Sequence, residues 1–133
     1  MLVLDASVAL SAAMSDVGFQ PLGHHDLHAP ALLWSEVSSV LSELQWRGEV
    51  SKDLAEVARE RFLIAPITRR ASADLYRKAT EMAKQLGWAK TYDAEYVALA
   101  SMLHVALVTG DARLQRGAGR VIDVLTPDEV ASV

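Results

Sequence analysis

The chain has 133 residues, 51% of them apolar, with 17 acidic against 13 basic side chains and a net charge of −4. A chain of this length builds a core without covalent staples, and the absence of cysteine excludes disulfides, thiolate zinc sites and thiol nucleophiles. The acidic balance argues against broad adsorption to nucleic acid, which relies on Lys and Arg neutralising phosphates, but not against an enzyme that reaches a phosphodiester through cations.

Residues 2–5, "LVLD", make a short β-like run that ends on Asp5, with Ser7 where an N-cap belongs before the helix "VALSAAM". Residues 16–30, "DVGFQPLGHHDLHAP", hold two Gly and two Pro and read as a loop. From Ala31 to Arg47, Leu33, Val37, Val40, Leu41 and Leu44 recur at helical spacing, and Gly48 ends that helix. "SKDLAEVARERF" starts from a Ser51 N-cap and completes a helical hairpin. "LIAPI" reads as a short strand that Pro66 places at an edge or near its end. Residues 71–86 form an amphipathic helix closed by Gly87, and "TYDAEYVALASMLH" follows as a helix apolar nearly all round, hence buried. "VALVTGD", "ARLQRGAGR" and "VIDVLTPDEV" read as strand, short helix or turn, then strand and tail.

Strands alternating with helices imply an α/β fold with a parallel sheet covered on both faces. No repeat, low-complexity tract or linker divides residues 1–133, which read as one domain. No apolar run approaches the roughly 20 residues of a spanning helix, and the first residues reach Asp5 without a basic leader region. The expectation is a soluble, cytoplasmic protein.

Two apolar strands that each finish on an acid, Asp5 and Asp111, are unusual enough to organise the functional reading. In parallel sheets, sites form outside the carboxyl ends of the strands, so if these two strands are neighbours their carboxylates share a rim. Glu36 sits at the border of a buried stripe, and Asp93 lies in the first turn of the apolar helix, on the side of Val97 and Ala100. Two carboxylates about 5 Å apart repel by roughly 3 kcal/mol at an effective dielectric of about 20, and a divalent cation would offset this. Hard oxygen ligands without histidine or thiolate favour Mg²⁺ or Mn²⁺ over zinc. Ser7 and Thr109, each two residues from an acid, could orient a carboxylate or water. Ordinary structural roles stay open for each residue alone: strand-to-helix punctuation for Asp5 and Asp111, helix-dipole complementation for Asp93, a solvated position for Glu36.

Together "VLDASVAL", "HAPALLWSEVSSVL", "TYDAEYVALA" and "LVTGDARL" resemble the four motifs of the PIN-domain ribonucleases, and in length and layout the VapC toxins of toxin–antitoxin pairs. The resemblance spans essentially the whole chain. It implies a three-layer α/β/α fold with a short, mainly parallel sheet and a helical hairpin, and an endoribonuclease using Mg²⁺ or Mn²⁺. Carried over, Asp5, Glu36, Asp93 and Asp111 would be the metal ligands and catalytic set, supported by Ser7 and Thr109. Ser39 stands where many relatives have Asn.

The resemblance also implies an RNA substrate, a homodimer and a silencing cognate antitoxin. Trp34, Trp46 and Phe62 on the hairpin could offer such a peptide a groove, with plain core packing the alternative for Trp34 and Phe62. Arg113 and Arg116 follow Asp111 closely enough to contact RNA phosphates. A catalytically silent PIN-fold binding module is the competing class. A nucleotide-binding domain would need a Gly-rich phosphate loop, which the chain lacks. "HHDLH", with His24, His25 and His28, reads as a solvated loop, with a zinc site as its rival.

Overall fold

Leu2–Leu4 forms β1, the middle strand of a wholly parallel sheet. It pairs with β2 (Leu27–Pro30) on one side and with β4 (Leu107–Val108) on the other. β3 (Ile67–Arg70) and β5 (Val124–Leu125) form the edges, giving the order β3-β2-β1-β4-β5. The computed structural model describes residues 1–131. The last two residues of the expected 1–133 domain lie outside the described residues.

Helices α1 (Ala6–Met14), α2 (Leu32–Trp46) and α3 (Lys52–Leu63) pack on one another, while α4 (Ala73–Leu86) packs along α5 (Tyr92–Leu103). α5 lies against β1, β2 and β4, which is why Ala94 to Ala100 are all buried and no polar stripe survives on it. Two short helices, α6 (Ala112–Ala118) and α7 (Pro127–Ala131), complete the chain. The result is a three-layer α/β/α fold.

The strand order fixes where a site belongs. From β1 the chain steps outward through β2 to β3, then returns to β4 on the opposite flank of β1 and steps outward to β5. Between β1 and β4 the direction of winding reverses, so the helices that follow these two strands diverge and leave a crevice at their carboxyl ends.

Helix ends follow local chemistry. The Ser51 and Ser72 hydroxyls each accept the amide three residues on, at 3.1 Å, starting α3 and α4. Gly87 ends α4 at φ +76°, a left-handed conformation that costs little without a Cβ. Arg61 of α3 donates to the carbonyls of Ala13 and Ser15, at 3.2 and 2.9 Å, closing the C-terminus of α1.

Four sequence expectations change, and one left open is decided. The loop expected over 16–30 ends in strand β2, all four of whose residues are buried. Its His28 is not solvated: Nδ1 accepts from Arg70 Nε at 3.1 Å, and Nε2 lies 3.0 Å from Asp26 Oδ2 but outside hydrogen-bond geometry. The strand expected at "LIAPI" starts only at Ile67, just after Pro66, which has no amide to donate. The helix after β1 starts at Ala6 and is capped by Asp5 rather than Ser7. Phe62 is core, its ring centroid 5.8 Å from that of Trp34, so of the three hairpin aromatics only Trp46, 88% exposed, stands free.

Candidate active site

Register brings the first pair of residues together. β1 and β4 align Leu4 with Val108, so the next residues, Asp5 and Thr109, face each other past the strand ends. Thr109 is fully buried, and its hydroxyl donates to Asp5 Oδ2. Asp5 Oδ1 accepts from Ser7 Oγ at 2.6 Å and from the Val8 amide at 3.1 Å. Ser7 Oγ in turn accepts from the Gly110 amide at 3.1 Å, and Thr109 Oγ1 from the Asp111 amide at 3.0 Å. Each hydroxyl therefore donates to Asp5 and accepts from the loop after β4, which leaves the buried carboxylate no freedom to rotate.

Asp111 caps α6, its Oδ1 accepting from the amides of Arg113 and Leu114 at 2.8 and 3.2 Å. Glu36, one turn into α2, accepts the Tyr96 hydroxyl at 2.6 Å. Asp93, in the first turn of α5, meets Arg113 Nη2 at 3.4 Å, both side chains being open to solvent. That contact was not foreseen, and it gives Asp93 a cationic neighbour.

Electrostatics ties the set into one rim. Burial raises the Asp5 carboxyl above its ordinary range against the pull of its hydrogen bonds, and Asp111 raises it further. Burial likewise raises Glu36, with Asp93 and Asp5 adding to the effect. Burial and the bond to Glu36 push the Tyr96 phenol far up, so it stays a neutral donor. The acids are thus electrostatic neighbours. Among the described residues, however, no three His, Cys, Asp or Glu side chains cluster closely enough to hold an ion as a ready-made cage.

Two members of this neighbourhood escape a sequence reading. Tyr96 looks like one more core aromatic, and only the structure reveals what its hydroxyl meets. Glu95 is 7% exposed, its carboxylate makes no hydrogen bond or ion pair with a described residue, and burial plus the Glu36 charge raise its pKa. The signal available for it was a second acid, two residues after Asp93, in a helix otherwise apolar nearly all round.

Beside the rim lies a cleft of about 620 Å³ that Glu36, Asp93 and Arg113 share with Trp88, Lys90 and Tyr92.

The fold is a parallel α/β domain that gathers buried and half-buried carboxylates at its switch point, the place where such folds bind their ligands. Comparison with other proteins is specific: the PIN domain model matches residues 2–120, and the chain belongs to the PIN-domain family. A VapC ribonuclease of Mycobacterium bovis is 36% identical over 115 residues, covering 86% of this chain and 88% of that protein. PAE2754 from Pyrobaculum aerophilum superposes with a TM-score of 0.77 at 21% identity, over 98% of this chain and 93% of that one. VapBC2 from Rickettsia felis, solved bound to a DNA fragment from its promoter, gives 0.67 at 15% identity over 94% and 97%. Among the described residues no helix is long and apolar enough to cross a membrane.

Proposed function

We propose that this chain is a metal-dependent endoribonuclease, the toxin of a toxin–antitoxin pair, hydrolysing RNA phosphodiester bonds at the rim built by Asp5, Glu36, Asp93 and Asp111. The observation that carries the reading is the fixing of Asp5: two hydroxyls and an amide hold a buried carboxylate at the switch point. A capping role alone needs only the amide bond. The 36% identical VapC ribonuclease supports the activity.

The donor set suits Mg²⁺ or Mn²⁺. Every candidate ligand is a hard carboxylate oxygen, and with no three of them clustered into a closed cage among the described residues a bound cation would keep waters and phosphate oxygens among its ligands. When bound, such an ion supplies Lewis acidity, neutralising phosphate charge and making water a nucleophile at neutral pH. Asp5, Glu36, Asp93 and Asp111 would hold it. Ser7 and Thr109 fix the direction in which Asp5 offers its oxygens. Burial and its acidic neighbours raise Glu36, and the Tyr96 hydroxyl holds one of its oxygens in place. Arg113 can leave its exposed contact with Asp93 at little cost and turn to a phosphate oxygen.

A cognate antitoxin and a homodimer complete the proposal. The VapBC2 likeness supports the antitoxin, and the hairpin offers exposed apolar side chains to one, among them Trp46 and Ile64.

The test is cleavage of a mixed RNA substrate by the purified protein in Mg²⁺ or Mn²⁺, after EDTA, and with Asp93→Asn. Cleavage should require the ion and vanish in the variant. Metal-independent cleavage would overturn the metal assignment, and an inert wild-type chain under all ions would leave a binding module.

A further inference from the structure

The cleft beside the acid rim carries a feature that phosphodiester chemistry alone does not need. Its far wall is the segment Gly87 to Tyr92, between α4 and α5, and that wall is aromatic and basic rather than acidic. Trp88 is anchored from two directions. Its amide donates to the Ala83 carbonyl at 2.7 Å, closing α4 after the left-handed Gly87. Its indole lies against α6 at Gly117, where an added methyl would stand only 2.8 Å from Trp88 Cζ2. A larger residue at 117 would therefore displace the ring. α6 is the same helix that Asp111 caps and that carries Arg113, so the wall and the rim are locked to one element.

On this fixed wall Tyr92 is 58% exposed, although it precedes Asp93 and opens the most buried helix of the fold. Lys90 is exposed as well and makes no ion pair with a described residue. An aromatic ring and a free ammonium within one cleft, next to carboxylates that repel bare phosphate, match the way unpaired RNA is recognised. Bases stack on aromatic side chains while cations take the backbone.

We propose that this cleft seats one unpaired nucleotide beside the cut phosphate, its base against the aromatic wall of Tyr92 and Trp88 and its outer phosphate at Lys90. The inference rests on the ribonuclease reading and deepens it by assigning Tyr92, Trp88 and Lys90 as the subsite for the nucleotide beside the cut. Tyr92 is a binding and specificity residue, with no part in the bond-breaking step. Trp88, held by α6 before binding, loses little entropy when the strand arrives.

The experiment uses a single-stranded RNA oligonucleotide that the wild-type protein cuts, with an abasic nucleotide placed in turn at each position flanking the cut. Removing one base should raise KM about tenfold, within the range measured for loss of one base–aromatic stack, with kcat nearly unchanged. Tyr92→Leu should give the same rise on the intact substrate and no further rise on that abasic one, the signature of a shared contact. Tyr92→Phe should behave as wild type, Gly117→Val should copy Tyr92→Leu, and Lys90→Gln should lower the salt slope of binding by about 0.7. Equal cleavage by Tyr92→Leu and wild type, or losses that multiply at every position, overturns the platform. If wild type cuts no RNA, the ribonuclease reading fails separately. Binding of a fluorescent single strand in EDTA then tests the platform, and unchanged affinity in Tyr92→Leu overturns it.

Discussion

Asp5 holds two roles that a sequence cannot separate. Its Oδ1 caps α1 through the Val8 amide, while both oxygens are pinned by Ser7 and Thr109. Asparagine keeps the capping oxygen and loses the charge, so Asp5→Asn should leave the circular dichroism spectrum intact while RNA cleavage falls by more than about a hundredfold. That exceeds the 10–100-fold typical of losing a supporting partner, and Ser7→Ala, which removes only such a partner, should fall inside the range. Equal losses in the two variants would mean that Asp5 acts through its shape and not through its charge. The four acids were legible because each breaks a local rule, a strand ending on a carboxylate or an acid at the border of an apolar stripe. The hydroxyl of Tyr96 on Glu36 and the pairing of Arg113 with Asp93 were not, since both join residues remote in sequence and violate no local pattern.

Elements long enough to show a period were the readable ones. α2, α3, α4 and α5 lie within a few residues of their expected spans because buried residues recur along each, while serine caps open α3 and α4 and a left-handed glycine closes α4. Strands of two to four residues carry no period, and the central strand β2, with His28 and Pro30 in it, contradicts strand composition outright. It persists because β1 and β3 pair it on both sides and because Arg70 Nε donates to His28 Nδ1. A different long-range tie holds the helical layer, the Arg61 guanidinium on two carbonyls at the C-terminus of α1. Arg61→Met keeps most of the packing volume and strands those partly buried acceptors. We expect a loss of about 1–2 kcal/mol in urea unfolding with the m-value unchanged. A midpoint equal to wild type would show that water replaces the guanidinium freely.

At the scale of the molecule, the architecture stores like charge at the point where the sheet changes direction, and this has a thermodynamic cost with a definite pH dependence. Burial raises the folded-state pKa of Asp5 and Glu36, and neighbouring acids add to both. Between the unfolded carboxyl values of about 4 and the raised folded values, the native state binds more protons than the unfolded chain. Stability from these groups is therefore highest below that window and falls as pH rises through it. Asp26, lowered chiefly by its contact with His28, works in the opposite sense, but it is fully exposed and acts below about pH 4. Glu36→Gln isolates the effect, because its amide oxygen can still accept the Tyr96 hydroxyl while the charge is gone. In EDTA, thermal melting of wild type and Glu36→Gln should coincide near pH 4 and separate as pH approaches 7, the variant melting higher. Saturating Mg²⁺ should raise the wild-type midpoint more than the variant's, since binding to the folded state adds stability in proportion to affinity and the variant has lost one candidate ligand. Parallel melting curves across that range, with no differential response to Mg²⁺, would mean that the acids are already relaxed by solvent and that the rim exerts no pull on a cation.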